Sequence, residues 1–243
     1  MKMLVAQTRA EIVMTLRRGE TLLLTIGIPV LLLVFFTTTH VTSAPAGPRI
    51  NFLTPGILAL CVMSTSLVAL SIATGFERSY GVLRRLHVTP LGRPRLIGAK
   101  TLGVLFVEII QTVVIVAVAY ALGWSPACGA GAIPQGILAG ILATAGFCGI
   151  GLFLAGRLKA EVNLAAANGL YLVLLLVSGF VIPTTSFPAA VRDVLVATPS
   201  GAFADALHRL FSNRTSMGWA NLISLSVWAL LAPVLAARTF RYD

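Results

Sequence analysis

The chain has 243 residues, of which 57% are hydrophobic and 11% charged, with mean hydropathy +0.93 and net charge +10. A soluble domain carries about 25% charged residues, so this composition excludes a soluble globular core of this length. It also excludes a nucleic-acid module, because the basic residues flank apolar runs and do not build one basic face.

Four uncharged runs set the class. They cover 28 residues at Thr21–Pro48, 27 at Ile50–Phe76, 30 at Val162–Val191 and 23 at Thr215–Ala237. A helix crosses a bilayer with about 20 apolar residues, so the composition describes an all-α polytopic membrane protein. Residues 1–20 mix Leu4, Val5, Ile12, Val13 and Leu16 with Lys2, Arg9, Arg17 and Arg18. This suits an amphipathic helix on the membrane surface. The first span is expected near Thr21–Thr38, with Pro29 tolerated because neighbours can satisfy the freed carbonyl. The second is expected near Phe52–Phe76.

A cationic block follows: FERSYGVLRRLHVTPLGRPRLIGAK, residues 76–100, with seven charged residues. Val82, Leu83, Leu86 and Val88 give it an apolar side, and Thr89-Pro90 stops a helix. A short amphipathic helix ending at Pro90 needs a surface to lie on, either headgroups or another protein. The third span is expected near Ile97–Leu122, and the Gly/Pro-dense segment 123–135 is a turn. The fourth span is expected near Gly136–Gly156. Its glycines Gly136, Gly140, Gly146, Gly149 and Gly151 would allow close helix approach. After the charged loop Arg157–Asn163 comes a fifth span, Leu164–Ile182, then a Pro-rich segment, residues 183–214, and a sixth span, Met217–Ala237.

Six spans put both termini on one side. That side carries 14 Lys and Arg residues against 4 on the other, so both termini are expected in the cytoplasm. Arg outnumbers Lys 15 to 3, which hints at a GC-rich bacterial source.

No phosphate-loop GxxxxGK[ST] and no GxSxG string occurs, and His40, His87 and His208 are scattered. Three cysteines, Cys61, Cys128 and Cys148, form no CxxC pair. The chain therefore carries no catalytic, metal-binding or cofactor-binding residue of its own by sequence. Glu108 is the one acid deep in a span, about 11 residues into the third. A charge there costs about 2.5 kcal/mol or more unless paired, and Gln111 lies on the same helix face. Two readings stay open: a polar patch on a substrate path, or a protonated acid bonded to another helix. Asn168 and Tyr171 are further path candidates.

The string Glu77-Arg78-x-x-Gly81-x-x-Arg84-Arg85-Leu86-x-x-Thr89-Pro90-Leu91 resembles the signature between the second and third spans of ATP-binding-cassette exporter permeases of the type-2 superfamily, which include antibiotic-resistance and lipid or polysaccharide export systems. Two further stretches are similar to that family. One is Ser178-Gly179-x-x-x-Pro183 followed by Phe187, Pro188 and Pro199, like its extracellular hairpin. The other is Arg17-Arg18 ahead of a span with Pro29. The resemblance covers essentially the whole chain as one permease domain, 1–243. It implies an N-terminal interface helix, a cytoplasmic coupling helix within residues 77–95 and an extracellular helical hairpin within residues 183–214.

It also implies roles. The coupling helix docks on a separate ATPase, which binds ATP and Mg, two copies per complex. Val82, Leu83 and Leu86 press into it, Arg84 and Arg85 pair with its acids or with headgroups, and Gly81 permits close backbone approach. Glu77 ties the coupling helix to the surface helix through Arg17 or Arg18. A second permease chain, same or related, completes the pore. The cargo is hydrophobic or amphipathic: a drug, lipid or glycolipid, exported across a bacterial plasma membrane as in multidrug efflux. The alternatives are a proton-coupled carrier using Glu108 and a non-transport scaffold.

Overall fold

The computed structural model describes residues 2–17, 19–39, 48–87, 92–129, 131–178 and 195–240. Among them every regular element is helical: α1 (Lys2–Arg17), α2 (Gly19–Thr38), α3 (Arg49–Ser79), α4 (Val82–His87), α5 (Arg93–Ala121), α6 (Ala132–Ala155), α7 (Ala160–Val177), α8 (Pro199–Phe211) and α9 (Trp219–Thr239). Five of these, α3, α5, α6, α7 and α9, are long and apolar enough to cross a membrane, and α2 adds a shorter apolar helix over Leu23–Thr38. Their outer faces stay apolar, with Leu31, Ile109, Ile137, Leu176 and Leu230 among the exposed large side chains. Such faces are stable in lipid and costly in water.

Helix α3 is not uniform. Residues Ser64–Ala69 form a π turn inside it. Hydroxyls supply the local cause: Ser64 donates to the Cys61 carbonyl and Ser66 to the Val62 carbonyl. Such back-bonding competes with the helical ladder. The widened turn pushes the Leu67 carbonyl toward α6, where a Cβ on Gly151 would sit only 2.7 Å from it.

Small residues decide which helices meet. A Cβ on Gly149 would lie 2.4 Å from Pro233 N and 2.5 Å from Ala232 C on α9. One on Gly146 would lie 3.3 Å from the Trp228 Cβ. A Cβ on Gly136 would lie 3.0 Å from Cζ of the Phe211 ring. Gly140 differs from the expectation: nothing lies within 4 Å of its Cβ position. It sits nine residues before Gly149, which at about 100° per residue is the opposite side of the helix.

A buried amide joins α3 to α7. Asn163, fully buried, donates to the Ser71 carbonyl and accepts from its hydroxyl, both at 2.8 Å. Both of these hydrogen bonds go to one residue, and Gly75 leaves room for the amide, since a Cβ there would sit 2.6 Å from Asn163 Nδ2.

Helix α8 starts at the buried Pro199, capped by the Thr198 hydroxyl accepting from Gly201 N at 3.1 Å. It packs on α3 through a ring pair, Phe52 over His208 at 4.5 Å and 17°. Neither His208 nitrogen has a partner among the described residues. Burial pushes its pKa down from 6.5 to about 4, with Asp205 opposing weakly. The imidazole is therefore neutral in the fold and binds a proton more readily once unfolded. Stability is full above pH 6.5 and falls with pH toward 4, by about 3 kcal/mol over the window. Thermal unfolding in detergent at pH 7 and pH 4.5 checks this. In His208→Phe the part of the loss due to this group disappears.

Candidate functional site

The cationic block folds as a turn and a short helix fixed to the end of α3. The turn is Tyr80-Gly81, closed by Gly81 N donating to the Arg78 carbonyl at 3.0 Å. Gly81 has φ +72, a left-handed conformation that favours glycine. Nothing lies within 4 Å of its Cβ position. Within the chain the turn itself therefore calls for glycine here. Helix α4 then occupies Val82–His87; Thr89 and Pro90, the expected stop, lie outside the described residues.

The faces of α4 correct one expectation. Leu83 is fully buried, in a cluster with Leu96 of α5 and Phe240 after α9, and Leu86 packs beside it. Leu83 therefore points back into its own chain and cannot press outward. Burying such a leucine contributes about 1.5–3 kcal/mol, enough to seat so short a helix. The outward face is Tyr80, Val82, Arg84 and Arg85, all exposed. Arg78 turns inward instead, donating to the Ala155 carbonyl at the end of α6 at 2.7 Å.

Glu77 is also not tied as expected. Its partner is Lys100 on α5, at 2.7 Å, and the same ammonium sits 3.2 Å from Glu11 on α1. Helix α1 is thus joined to the end of α3 through a buried lysine. Arg17 is exposed on α1, and Arg18 lies outside the described residues. The Lys100 side chain is 1% exposed, so its charge is held by these two acids and not by water. Gln7 donates to the same Glu11 carboxylate at 2.9 Å, and Gly103, one turn above Lys100, gives α1 its approach, with a Cβ there 3.1 Å from that of Glu11.

Above this charge group a cleft of about 90 Å³ runs between α1, α2, α3 and α5. Glu11, Glu77 and Lys100 close one end; Thr15, Thr25 and Thr65 line it, with Ala73, Leu70 and Val107 on its walls. Gln111 sits next to it, donating to the Thr25 carbonyl at 2.9 Å and accepting from Thr65 at 3.1 Å. It thereby ties three helices together.

Glu108 lies apart from the cleft. It is buried, and its Oε2 accepts from the Thr144 hydroxyl on α6. Its Oε1 meets no donor among the described residues. Glu108 and Gln111 share α5 but join different neighbours, so they form no single polar patch. Asn168 is exposed and donates to the Leu164 carbonyl of its own helix at 2.8 Å. Tyr171 is half-buried against the main core. The structure brings none of Glu108, Asn168 and Tyr171 into the cleft. Of the Pro-rich segment, Gly179, Pro183, Phe187 and Pro188 lie outside the described residues.

Sequence reasoning missed Glu11, Lys100 and Phe240. Glu11 had a signal, as an acid in an otherwise cationic N-terminal segment. Lys100 had one too, as a charge seven residues inside a helix that continues as a span.

A comparison with the curated proteins returned no match. The family model for the ABC-2 type transporter matches residues 3–211, which takes in nearly all of α1, the charge group, α4 and α8. On that match, and on its membrane-length helices, the chain belongs to the ABC-2 type transporter family and is a multi-pass membrane permease component of an ABC transporter, not itself catalytic.

Proposed function

We propose that the chain is the transmembrane subunit of an ATP-driven exporter, with α4 as the element that receives force from a separate ATPase. One observation carries this reading: α4 is seated by Leu83 and Leu86 while Tyr80, Val82, Arg84 and Arg85 remain exposed. A loop serving only to orient the chain by its charges needs no such seating. The exposed aromatic and two arginines suit a partner cleft with acidic edges.

In this reading α2, α3, α5, α6, α7 and α9 are the six spans. Both ends and α4 face the cytoplasm of a bacterial cell, and α8 belongs to the outer hairpin. Two permease chains and two ATPases make the working unit. ATP and Mg stay on the ATPase, whose closure moves α4 and rocks the spans between inward-open and outward-open states. The apolar spans favour a hydrophobic or amphipathic cargo, a drug, lipid or glycolipid.

The test is affinity capture from mild detergent, with ATPase activity measured on the eluate. The variant Val82→Asp/Arg84→Glu/Arg85→Glu changes only exposed side chains, so its yield and unfolding temperature should match the parent. Co-eluting ATPase should fall about tenfold, the loss of roughly 1.4 kcal/mol of docking energy. Equal recovery with parent and variant would remove α4 as the docking element. Changing Leu83 instead would unseat α4 and answer a different question.

A further inference from the structure

Phe240 is the first residue after α9, and its side chain is 2% exposed. The backbone leaves the helix in an extended conformation (φ −62, ψ 125), with Phe240 N still donating to the Ala236 carbonyl at 2.9 Å. The ring therefore remains fixed to α9 as its last rigid part. It enters the space between three other elements. Leu83 brings in α4, and Leu96 the start of α5. Gly156 brings in the turn between α6 and α7: a Cβ there would lie 2.7 Å from Phe240 Cδ2, so only glycine leaves the ring its place.

Helix α9 is in turn locked on α6 by the approaches at Gly146 and Gly149. Among the described residues, two of the contacts that α4 makes bear on how it moves. One is its own turn to α3, through Gly81, where a left-handed glycine with open space around it makes a compliant joint. The other is the ring of Phe240, packed on all sides.

We infer that Phe240 is a positioning residue for energy coupling: it holds α4 in register and hands its displacement to α9. The second half of this rests on the exporter reading above; the first half does not.

The experiment has two arms. In the first, the chain alone in lipid nanodiscs is followed by hydrogen exchange in the peptide spanning Tyr80 to His87. Phe240→Ala should speed exchange there about tenfold while peptides from α6 and α9 keep parent rates. Phe240→Leu should restore near-parent protection. Exchange unchanged in that peptide, or raised equally everywhere, would overturn the anchoring role. If Phe240→Ala does not yield folded chain, Gly156→Ala takes its place. Its methyl, 2.7 Å from Phe240 Cδ2, displaces the ring without removing it and should speed exchange in α4 alone. In the second arm, bimane is attached to Trp219→Cys, at the exposed far end of α9, in a Cys128→Ser background. The captured complex is trapped with ATP and vanadate. The parent should show an emission change, taken per unit of captured ATPase, that Phe240→Ala loses. A full response in Phe240→Ala would overturn transmission through the ring. If the parent captures no ATPase, the exporter reading fails, and the exchange arm still decides whether Phe240 anchors α4.

Discussion

Replacing Gly149 by alanine is expected to destabilise the helix bundle by about 3 kcal/mol, at the upper end for overpacking. The added methyl would fall 2.4 Å from Pro233 N, 2.5 Å from Ala232 C and 2.6 Å from Pro233 Cδ. Two of these atoms are backbone and the third is in a proline ring, so none can rotate aside. Helices α6 and α9 must separate, losing contacts along their length. Gly140→Ala, on the same helix, is the matched control. With nothing within 4 Å, it should be neutral or gain up to about 1 kcal/mol from helix propensity. Reversible unfolding in mixed detergent micelles measures both. Equal midpoints for the two variants would mean that α6 and α9 do not approach as closely as described.

Removing the charge of Lys100 is the second large effect. Lys100→Met leaves Glu11 and Glu77 facing one ammonium site without the ammonium. Their side chains are only 12% and 15% exposed, so water screens them poorly. Breaking such a pair costs about 3–5 kcal/mol, whereas replacing all its members by neutral groups is often nearly free. The triple variant Glu11→Gln/Glu77→Gln/Lys100→Met should therefore be more stable than Lys100→Met alone. Thermal unfolding of the single and triple variants separates the outcomes. A triple variant no better than the single would show that Lys100 acts by packing its alkyl chain and not by its charge.

The membrane-length helices were legible because lipid imposes one demand, long uncharged runs, and the sequence meets it in plain view. A short helix in the cationic block was legible from its charge density and its apolar residues Val82, Leu83 and Leu86. Its orientation was not. Val82 and Leu83 are adjacent apolar residues on a helix of six, too short for periodicity to say which one faces inward. The side chain that decides it, Phe240, lies more than 150 residues further on. The same distance hid the charge group: Glu11 and Lys100 are 89 residues apart, and nothing local in either segment names the other. The glycines of α6 advertised close approach, but only knowledge of the neighbours tells Gly149, against α9, from Gly140, against nothing. Glu108 stood out for its depth in the span. The structure gives it Thr144 on α6 as a partner, 36 residues away in the chain.

The π turn at Ser64–Ala69 sets the rotational phase of everything after it on α3. A π turn holds one residue more than the α-helical turn it replaces, so the last ten residues, Leu70–Ser79, are rotated by about 100° relative to an unbroken helix. Glu77 meets Lys100 in this phase. Deleting a single residue within the turn would let α3 run as a regular helix with its apolar character intact. It would also swing Glu77 a quarter-turn or more off its lysine, and re-aim the Tyr80-Gly81 turn and α4 with it. The bulge thus works as a one-residue offset, written deep in the membrane, whose reading is the direction in which α4 faces.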